Sequence, residues 1–216
     1  MTKANRHDII RRGEHVFIAG GTGSGKTFLA SEYLRPYNHV VVLDTKGLFD
    51  NWNNMDKQEL TICTRLSELP KVKTSKIIYR PVFQELEETA YNRFFEWIYK
   101  RKRTICLIDE AMQVSPAPLI LPIWLRGCLQ RGRQMEIGIW SLCQRPKNIS
   151  PLMISEATHI FSFRLNLDQD REKLVEVTGC REFLIKPEKY SFWYLNLFRD
   201  GQVARKGRLV KRRESL

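Results

Sequence analysis

The residues with the clearest chemical potential are a glycine-rich run that ends in a lysine and a threonine. Residues 20–27 read GGTGSGKT, which fits the phosphate-binding pattern G-x-x-x-x-G-K-[ST]. Glycines allow backbone conformations closed to other residues, so N–H groups can approach phosphate oxygens. Lys26 is expected at the β- and γ-phosphates of ATP, and the Thr27 hydroxyl is expected on Mg²⁺. The predicted nucleotide-binding residues are Gly20, Gly21, Thr22, Gly23, Ser24, Gly25, Lys26 and Thr27.

A pair of acids ends the apolar run ICLIDE, residues 105–110. Carboxylates at the carboxyl end of a buried parallel strand lie beside the phosphate site in such sheets. Asp109 is expected in the Mg²⁺ shell, through Thr27 or a water. Glu110 is expected to orient or deprotonate a water that attacks the γ-phosphate. The pair favours hydrolysis, because a nucleotide kinase excludes water from its reaction and does not need the adjacent glutamate.

A polar side chain also ends the apolar strand predicted within EIGIWSLCQRP, residues 136–146. If this strand neighbours both the phosphate-loop strand and the Asp109 strand, Gln144 can touch the γ-phosphate or the attacking water. The alternative is a glutamine that caps the turn before Pro146.

Arginines precede that strand in LRGCLQRGRQ, residues 125–134. Arg126, Gln130 and Arg133 are expected on one helical face, opposite an apolar stripe, and Arg131 is adjacent. We expect this exposed arginine row to lie beside the nucleotide edge, which is typical of a side chain supplied to a neighbouring subunit's nucleotide. The alternative is a solvated basic face of the helix.

Alternating apolar and helical patterns must position these residues. Strands are predicted at 15–19, 40–44, 76–80, 104–109, 137–143 and 158–163, helices at 26–35, 85–102, 119–131 and 169–177, and a hairpin-like stretch at 191–203. This alternation predicts an α/β fold with a mainly parallel central sheet and helices on both faces. The polar segment 51–73 gives no clear pattern.

The chain is strongly basic, with 36 lysines and arginines against 24 acids and a formal net charge of +12. This balance favours a polyanionic partner, nucleic acid more than an anionic membrane; a charge that serves only solubility is the alternative. The five cysteines form no CxxC pair, the start has no secretory signal, and no apolar run approaches the roughly 20 residues of a membrane span. We therefore expect a soluble, reduced, cytoplasmic protein.

These elements, in this order, resemble the FtsK–HerA family of DNA-pumping ATPases over roughly residues 14–165. The most specific part is RGRQMEIGIWSLCQRP, where Gln144, Arg145 and Pro146 match and Cys143 stands in place of the usual threonine. DTKGLF at 44–49 resembles the family's Asp-x-Lys-Gly after the second strand, and IFSFRL at 160–165 resembles its late strand. The resemblance implies a RecA-like P-loop NTPase fold of the additional-strand, catalytic-glutamate type.

The resemblance also implies roles for the site residues. The catalytic residues are Glu110, Gln144 as sensor, Arg133 as the arginine offered to the next subunit, and Arg131 as the second choice. The metal residues are Thr27 and Asp109. The expected domains are an N-terminal extension at 1–13, a P-loop ATPase domain at 14–203 and a basic C-terminal tail at 204–216.

A bare core of this size, with no expected membrane anchor or DNA-reading domain, is most similar to the genome-packaging ATPases of membrane-containing icosahedral viruses. That likeness implies a ring-shaped, Mg-ATP-dependent motor that packages double-stranded DNA, in the host cytoplasm or the virion, with a capsid or membrane vertex protein as a further partner. Candidate DNA contacts are KRKR at 100–103 and the basic tail. Their alternatives are a helix C-terminus favoured by the dipole and a solvated terminus.

Three other functions stay open. One is a DNA pump of the same family in plasmid transfer or segregation. Another is a small nucleotide kinase, in which arginines clamp a second phosphate. The third is an ATP-switched adaptor with negligible turnover.

Overall fold

A computed structural model of the chain describes residues 10–199, 201 and 203–210. The strands in this part are β1 (Val16–Ala19), β2 (Val40–Leu43), β3 (Leu60–Cys63), β4 (Lys76–Tyr79), β5 (Ile105–Ile108), β6 (Gly138–Cys143), β7 (His159–Phe163), β8 (Ser191–Asn196) and β9 (Arg205–Arg208). The α-helices are α1 (Lys26–Leu34), α2 (Glu88–Arg101), α3 (Ala111–Val114), α4 (Ile123–Arg131), α5 (Leu152–Ser155) and α6 (Asp168–Thr178).

The described strands form one nine-stranded sheet in the order β3-β4-β2-β5-β6-β1-β7-β8-β9. Pairing is parallel from β3 through β7, and antiparallel between β7 and β8 and between β8 and β9. The central parallel strands are buried throughout, as expected of continuous apolar runs covered on both faces. The predicted α/β class with a mainly parallel sheet is confirmed.

Alternate residues of each central strand point into two separate apolar cores. In β2, Val40 and Val42 pack with α1 on one face, whereas Val41 and Leu43 pack with α2 and α4 on the other. The same alternation holds for β1, β5 and β6. Helices therefore cover both faces, and the sheet is a rigid support for the loops at its edges. All five cysteines lie buried and unpaired in this structure, consistent with small core residues.

Two strands lie where the sequence pattern did not place them. The segment 51–73 contains β3, a half-exposed edge strand, and a 3₁₀ turn at Leu66–Lys71. The predicted hairpin at 191–203 extends further, because its second strand is β9. Strand β9 lies within the segment expected to be a basic tail, so residues 205–208 belong to the sheet. The rest of that expected tail, 211–216, and most of the expected N-terminal extension, 1–9, lie outside the described residues.

No helix in the described ranges is both long enough and apolar enough to cross a membrane.

Candidate functional site

The glycine-rich loop links the carboxyl end of β1 to the first turn of α1, as the sequence predicts. Gly23 and Gly25 have φ angles of 71° and 103°, a region that favours glycine. A Cβ atom on Gly25 would also collide with the side chain of Leu209, which follows β9. The loop therefore takes its shape from glycine and from close packing under the C-terminal hairpin.

Lys26 lies inside the loop. Its Nζ donates hydrogen bonds to the carbonyl oxygens of Gly20, at 2.8 Å, and Gly21, at 2.9 Å. Burial lowers the pKa of Lys26, and the nearby acidic group of Glu110 acts against that shift. Because the Lys26 ammonium is nearly buried and its hydrogen bonds here go to carbonyl oxygens, it is well placed to bind an anionic group.

Thr27 and Asp109 are brought together, as predicted, although 82 positions separate them. The Thr27 hydroxyl donates to Asp109 Oδ1 at 3.1 Å. Burial raises the pKa of Asp109; the Thr27 hydrogen bond opposes the rise, and the neighbouring Asp44 and Glu110 add to it.

A hydroxyl and a carboxylate of this kind fit Mg²⁺, which prefers oxygen ligands and usually binds through one or two protein groups together with nucleotide phosphates. A cation here would also favour the charged form of Asp109. Within the described ranges there is no cluster of three or more acidic, histidine or cysteine side chains able to hold a metal by itself. Thr27 and Asp109 therefore fit a metal that binds together with the nucleotide.

Glu110 is buried at the same edge, and its two carboxylate oxygens have different surroundings. Oε2 accepts hydrogen bonds from Gln144 Nε2 at 2.9 Å and from Lys46 Nζ at 2.7 Å. Oε1 is buried and has no hydrogen-bond partner among the described residues. A buried carboxylate oxygen without a hydrogen-bond partner, next to a phosphate-binding loop, is suited to accept a proton from a water molecule.

Gln144 reaches this site because β6 lies between β5 and β1 in the sheet. Its Oε1 accepts a hydrogen bond from the Thr22 hydroxyl of the glycine-rich loop, at 3.0 Å. The strand order required for a sensing role is therefore present. A purely turn-capping role does not account for contacts with both Thr22 and Glu110.

Lys46 is the site residue that sequence reasoning missed. It follows β2 within DTKGLF, and it forms an ion pair with Glu110 at 2.7 Å. The resemblance of DTKGLF to the pattern Asp-x-Lys-Gly identifies the segment but assigns no role to its lysine. The strand order explains the contact with Glu110: β2 pairs with β5 in parallel, so the carboxyl ends of these two strands lie side by side.

Arg131 and Arg133 lie at the opposite edge of the sheet from the glycine-rich loop. Arg131 ends α4 and Arg133 lies in the turn between α4 and β6, whereas the loop follows β1. The Arg133 Nη2 atom donates to Thr158 Oγ1 at 2.8 Å, and its guanidinium lies 4.9 Å from the centre of the Phe198 ring. Arg131 is exposed. The fold therefore does not bring either arginine to the nucleotide site of its own chain. The expectation of an arginine row beside the nucleotide edge is wrong, because β1 and β6 are parallel and the arginines come before β6.

The basic run at 100–103 lies at this same far edge. Lys102 and Arg103 have positive φ angles of 54° and 42° where α2 ends. Lys100 forms an ion pair with Glu96 at 2.7 Å, a typical helix-surface contact.

No model of a protein family matches the chain, and no curated protein matches it. Solved structures do match. The genome packaging NTPase B204 from Sulfolobus turreted icosahedral virus 2, in complex with ATP-gammaS, superposes with a TM-score of 0.75 at 15% identity, over 93% of this chain and 100% of that chain. The chain has the fold of this packaging NTPase.

Two further structures extend the comparison. VirB4 of Thermoanaerobacter pseudethanolicus has a TM-score of 0.61 at 11% identity, covering 84% of this chain and 86% of that one. The pCW3 conjugation coupling protein TcpA, bound to ATPgS, has a TM-score of 0.57 at 15% identity, and the match covers 91% of this chain and 60% of that one. The fold expected from the FtsK–HerA resemblance, a RecA-like P-loop NTPase, is confirmed by these neighbours. The roles of the individual site residues stay predictions.

Proposed function

We propose that this chain is a Mg-ATP-dependent motor that translocates double-stranded DNA and packages it into a viral capsid. The observation that carries the proposal is the Glu110 carboxylate, buried at the carboxyl edge of the sheet beside the glycine-rich loop. One of its oxygens is fixed by two donors and the other has no partner. A site that only binds a nucleotide does not require a buried carboxylate with one oxygen left without a hydrogen-bond partner.

The binding step uses the glycine-rich loop and Lys26. Phosphate oxygens take hydrogen bonds from the loop N–H groups and from the Lys26 ammonium, which exchanges its carbonyl partners for anionic ones. Thr27 and Asp109 are the residues that would hold Mg²⁺, and the ion would supply positive charge to the phosphates of ATP.

The hydrolytic step uses Glu110. Its free Oε1 takes a proton from a water, and the water oxygen bonds to the γ-phosphorus. The bond from the γ-phosphorus to the bridging oxygen breaks, which leaves ADP and inorganic phosphate. Gln144 joins Glu110 to Thr22 on the glycine-rich loop, so a change at the γ-phosphate can reach the base through one side chain.

Three features support a ring that moves DNA. Arg131 and Arg133 lie at the edge opposite their own glycine-rich loop, so these two arginines are suited to a neighbouring subunit's nucleotide and not to their own. The net charge of +12 suits contact with the phosphate backbone, independent of base sequence. The neighbouring solved structures include a genome packaging NTPase. We place the ring in the host cytoplasm or the virion, with a capsid or membrane vertex protein as its docking partner.

A second candidate is a DNA pump of the same type that serves plasmid transfer or segregation. It is favoured by the likeness to the pCW3 conjugation coupling protein TcpA. Both candidates need the same hydrolytic site, and they differ in the partner that the ring binds.

The test of the site is the substitution Glu110→Gln, which keeps the side-chain shape and removes the base. We expect turnover of ATP to fall by roughly 10²–10⁴-fold while ATP binding persists. Phosphate release and binding of a fluorescent ATP analogue measure the two effects separately. Unchanged turnover in the variant would exclude Glu110 as the base.

Adding nucleoside monophosphates to the same assay separates the motor from a kinase. Efficient formation of diphosphates from these acceptors would identify a nucleotide kinase and contradict the proposal. Negligible turnover by the wild-type chain, with or without DNA, would favour the ATP-switched adaptor instead.

A further inference from the structure

Lys46 occupies a position that suits a role in catalysis rather than in folding. It lies on the loop between β2 and β3, and its side chain is 36% exposed, so it contributes little to either apolar core. Its ammonium nevertheless reaches inward to Glu110, whose side chain is only 5% exposed. A long charged side chain gives up rotational freedom in such a contact, which suggests that the contact has a use.

The loop that carries Lys46 is fixed by the residue at its start. The buried Asp44 carboxylate accepts hydrogen bonds from the backbone N–H groups of Leu48, at 3.1 Å, and Phe49, at 3.0 Å. Arg80 Nε donates to the same carboxylate at 2.8 Å. Gly47, with a φ of 69°, turns the chain directly after Lys46. These contacts hold Lys46 at the apex of a closed turn facing β5.

The contact with Lys46 distinguishes the two oxygens of Glu110. Lys46 Nζ and Gln144 Nε2 both donate to Oε2, at 2.7 Å and 2.9 Å, whereas Oε1 is buried without a partner. Two donors on one oxygen fix the rotation of the carboxylate about its terminal bond, which is otherwise soft. They also occupy the oxygen that would compete with Oε1 for the water proton.

We propose that Lys46 is a positioning residue for hydrolysis: it holds Oε2 of Glu110 so that Oε1 is the oxygen that accepts the proton from water. This inference rests on the proposed ATPase function, in which Glu110 is the base. Gln144 supplies the second donor, but its other end is tied to Thr22 on the glycine-rich loop, where the proposed function puts the phosphates. Lys46 is independent of that loop, so it keeps the carboxylate aligned while Gln144 responds to the nucleotide.

The experiment compares Lys46→Met, Lys46→Arg and the matched control Lys57→Met. Methionine keeps the aliphatic length and removes the charge; arginine keeps a donor. Lys57 is exposed further along the same loop between β2 and β3. Its substitution therefore changes the net charge equally without removing a contact to Glu110. Steady-state ATP hydrolysis gives kcat and KM for each variant, and thermal unfolding reports folding.

We expect Lys46→Met to lower kcat about 10- to 100-fold with KM changed less than about threefold, since the residue acts on the base and not on ATP binding. Lys46→Arg is expected to retain at least about a third of the wild-type kcat, and Lys57→Met to behave as wild type. A wild-type kcat in Lys46→Met would overturn the proposal. So would a fall in kcat/KM that comes entirely from KM, which would assign Lys46 to nucleotide binding.

A double-mutant cycle with Glu110→Gln decides whether Lys46 acts through Glu110. If it does, Lys46→Met has little further effect once Glu110 is a glutamine. An equal loss in both backgrounds would contradict the proposal, even if the single variant is slow. The failure of the function itself is distinguishable, because the wild-type chain would then lack ATP hydrolysis altogether.

Discussion

At the residue scale, side chains that are distant in the sequence meet around Asp109 and Glu110. The glycine-rich pattern and the acidic pair after β5 predict the first of these contacts. Thr27 and Asp109 are in hydrogen-bond contact, and Gln144 contacts Glu110. Lys46 could not be assigned in the same way. Its partner is set by strand order, and a single lysine after a short strand carries no signal of its own.

His15 illustrates a residue whose role follows from its surroundings. The Ile139 N–H donates to Nδ1 at 2.9 Å, so the proton lies on Nε2, which is 2.9 Å from the Leu129 carbonyl oxygen. The neutral ring thus satisfies one donor and one acceptor and joins β1, α4 and β6. Burial lowers the pKa of His15 to about 4.

This histidine predicts a pH-dependent stability. In the unfolded chain the ring binds a proton below about pH 6.5, but in the folded chain only below about pH 4. The free energy of unfolding should therefore fall as the pH is lowered from about 6.5 to 4, by on the order of 3 kcal/mol from this group. Urea unfolding across this range, compared with His15→Gln, isolates the contribution. Equal slopes for the two proteins would contradict it.

At the element scale, the buried central strands and the longer helices follow the sequence pattern, and the two strands at the sheet margins do not. Strand β3 is half exposed, so its apolar residues do not form a continuous run. Strand β9 reads RKGR, a composition with low strand propensity, and forms because β8 offers it a pairing edge. Its charged residues also protect that edge from pairing with other chains.

Strand β6 approaches the segment before β1 so closely that Gly138 has no room for a side chain. A Cβ atom on Gly138 would collide with the backbone carbonyl of Arg12 and lie 3.1 Å from that of Glu14. Backbone atoms in a sheet cannot move aside cheaply, so Gly138→Ala should destabilise the protein by roughly 1–3 kcal/mol.

Gly127→Ala is the matched control. A Cβ there meets the Tyr99 ring at 3.8 Å, an ordinary contact, in the middle of α4. This variant should gain roughly 0.5–1 kcal/mol, because alanine favours a helix interior over glycine. Thermal unfolding of the two variants should move in opposite directions. A shift of the same sign and size in both would contradict the packing described for Gly138.

At the scale of the whole molecule, the sheet separates two groups of predicted functional residues. The predicted nucleotide residues lie at the carboxyl ends of the parallel strands, and Arg131, Arg133 and the basic run at 100–103 lie at the amino ends. The sequence pattern identifies these residues, and the strand directions decide which edge each group occupies. That division keeps Arg131 and Arg133 away from the glycine-rich loop of their own chain.

The division predicts complementation between subunits. Lys26→Ala removes nucleotide binding, and Arg133→Ala removes the arginine offered to a neighbour, so each variant alone should hydrolyse ATP at least about tenfold more slowly than wild type. Mixed subunits should recover part of the activity, because some interfaces pair an intact nucleotide site with an intact arginine. If Arg133→Ala alone is fully active, Arg131→Ala takes its place in the same mixture. Absence of recovery with either arginine variant would contradict action between subunits.

The coupling of ATP hydrolysis at Glu110 to double-stranded DNA separates a DNA motor from other ATPases. It is tested most directly by the ATPase rate with and without DNA across a salt series of roughly 50 to 200 mM, where phosphate contacts weaken strongly. We predict a DNA-stimulated rate that declines with salt and is absent in Glu110→Gln. A wild-type rate that DNA leaves unchanged at the lowest salt would contradict the account.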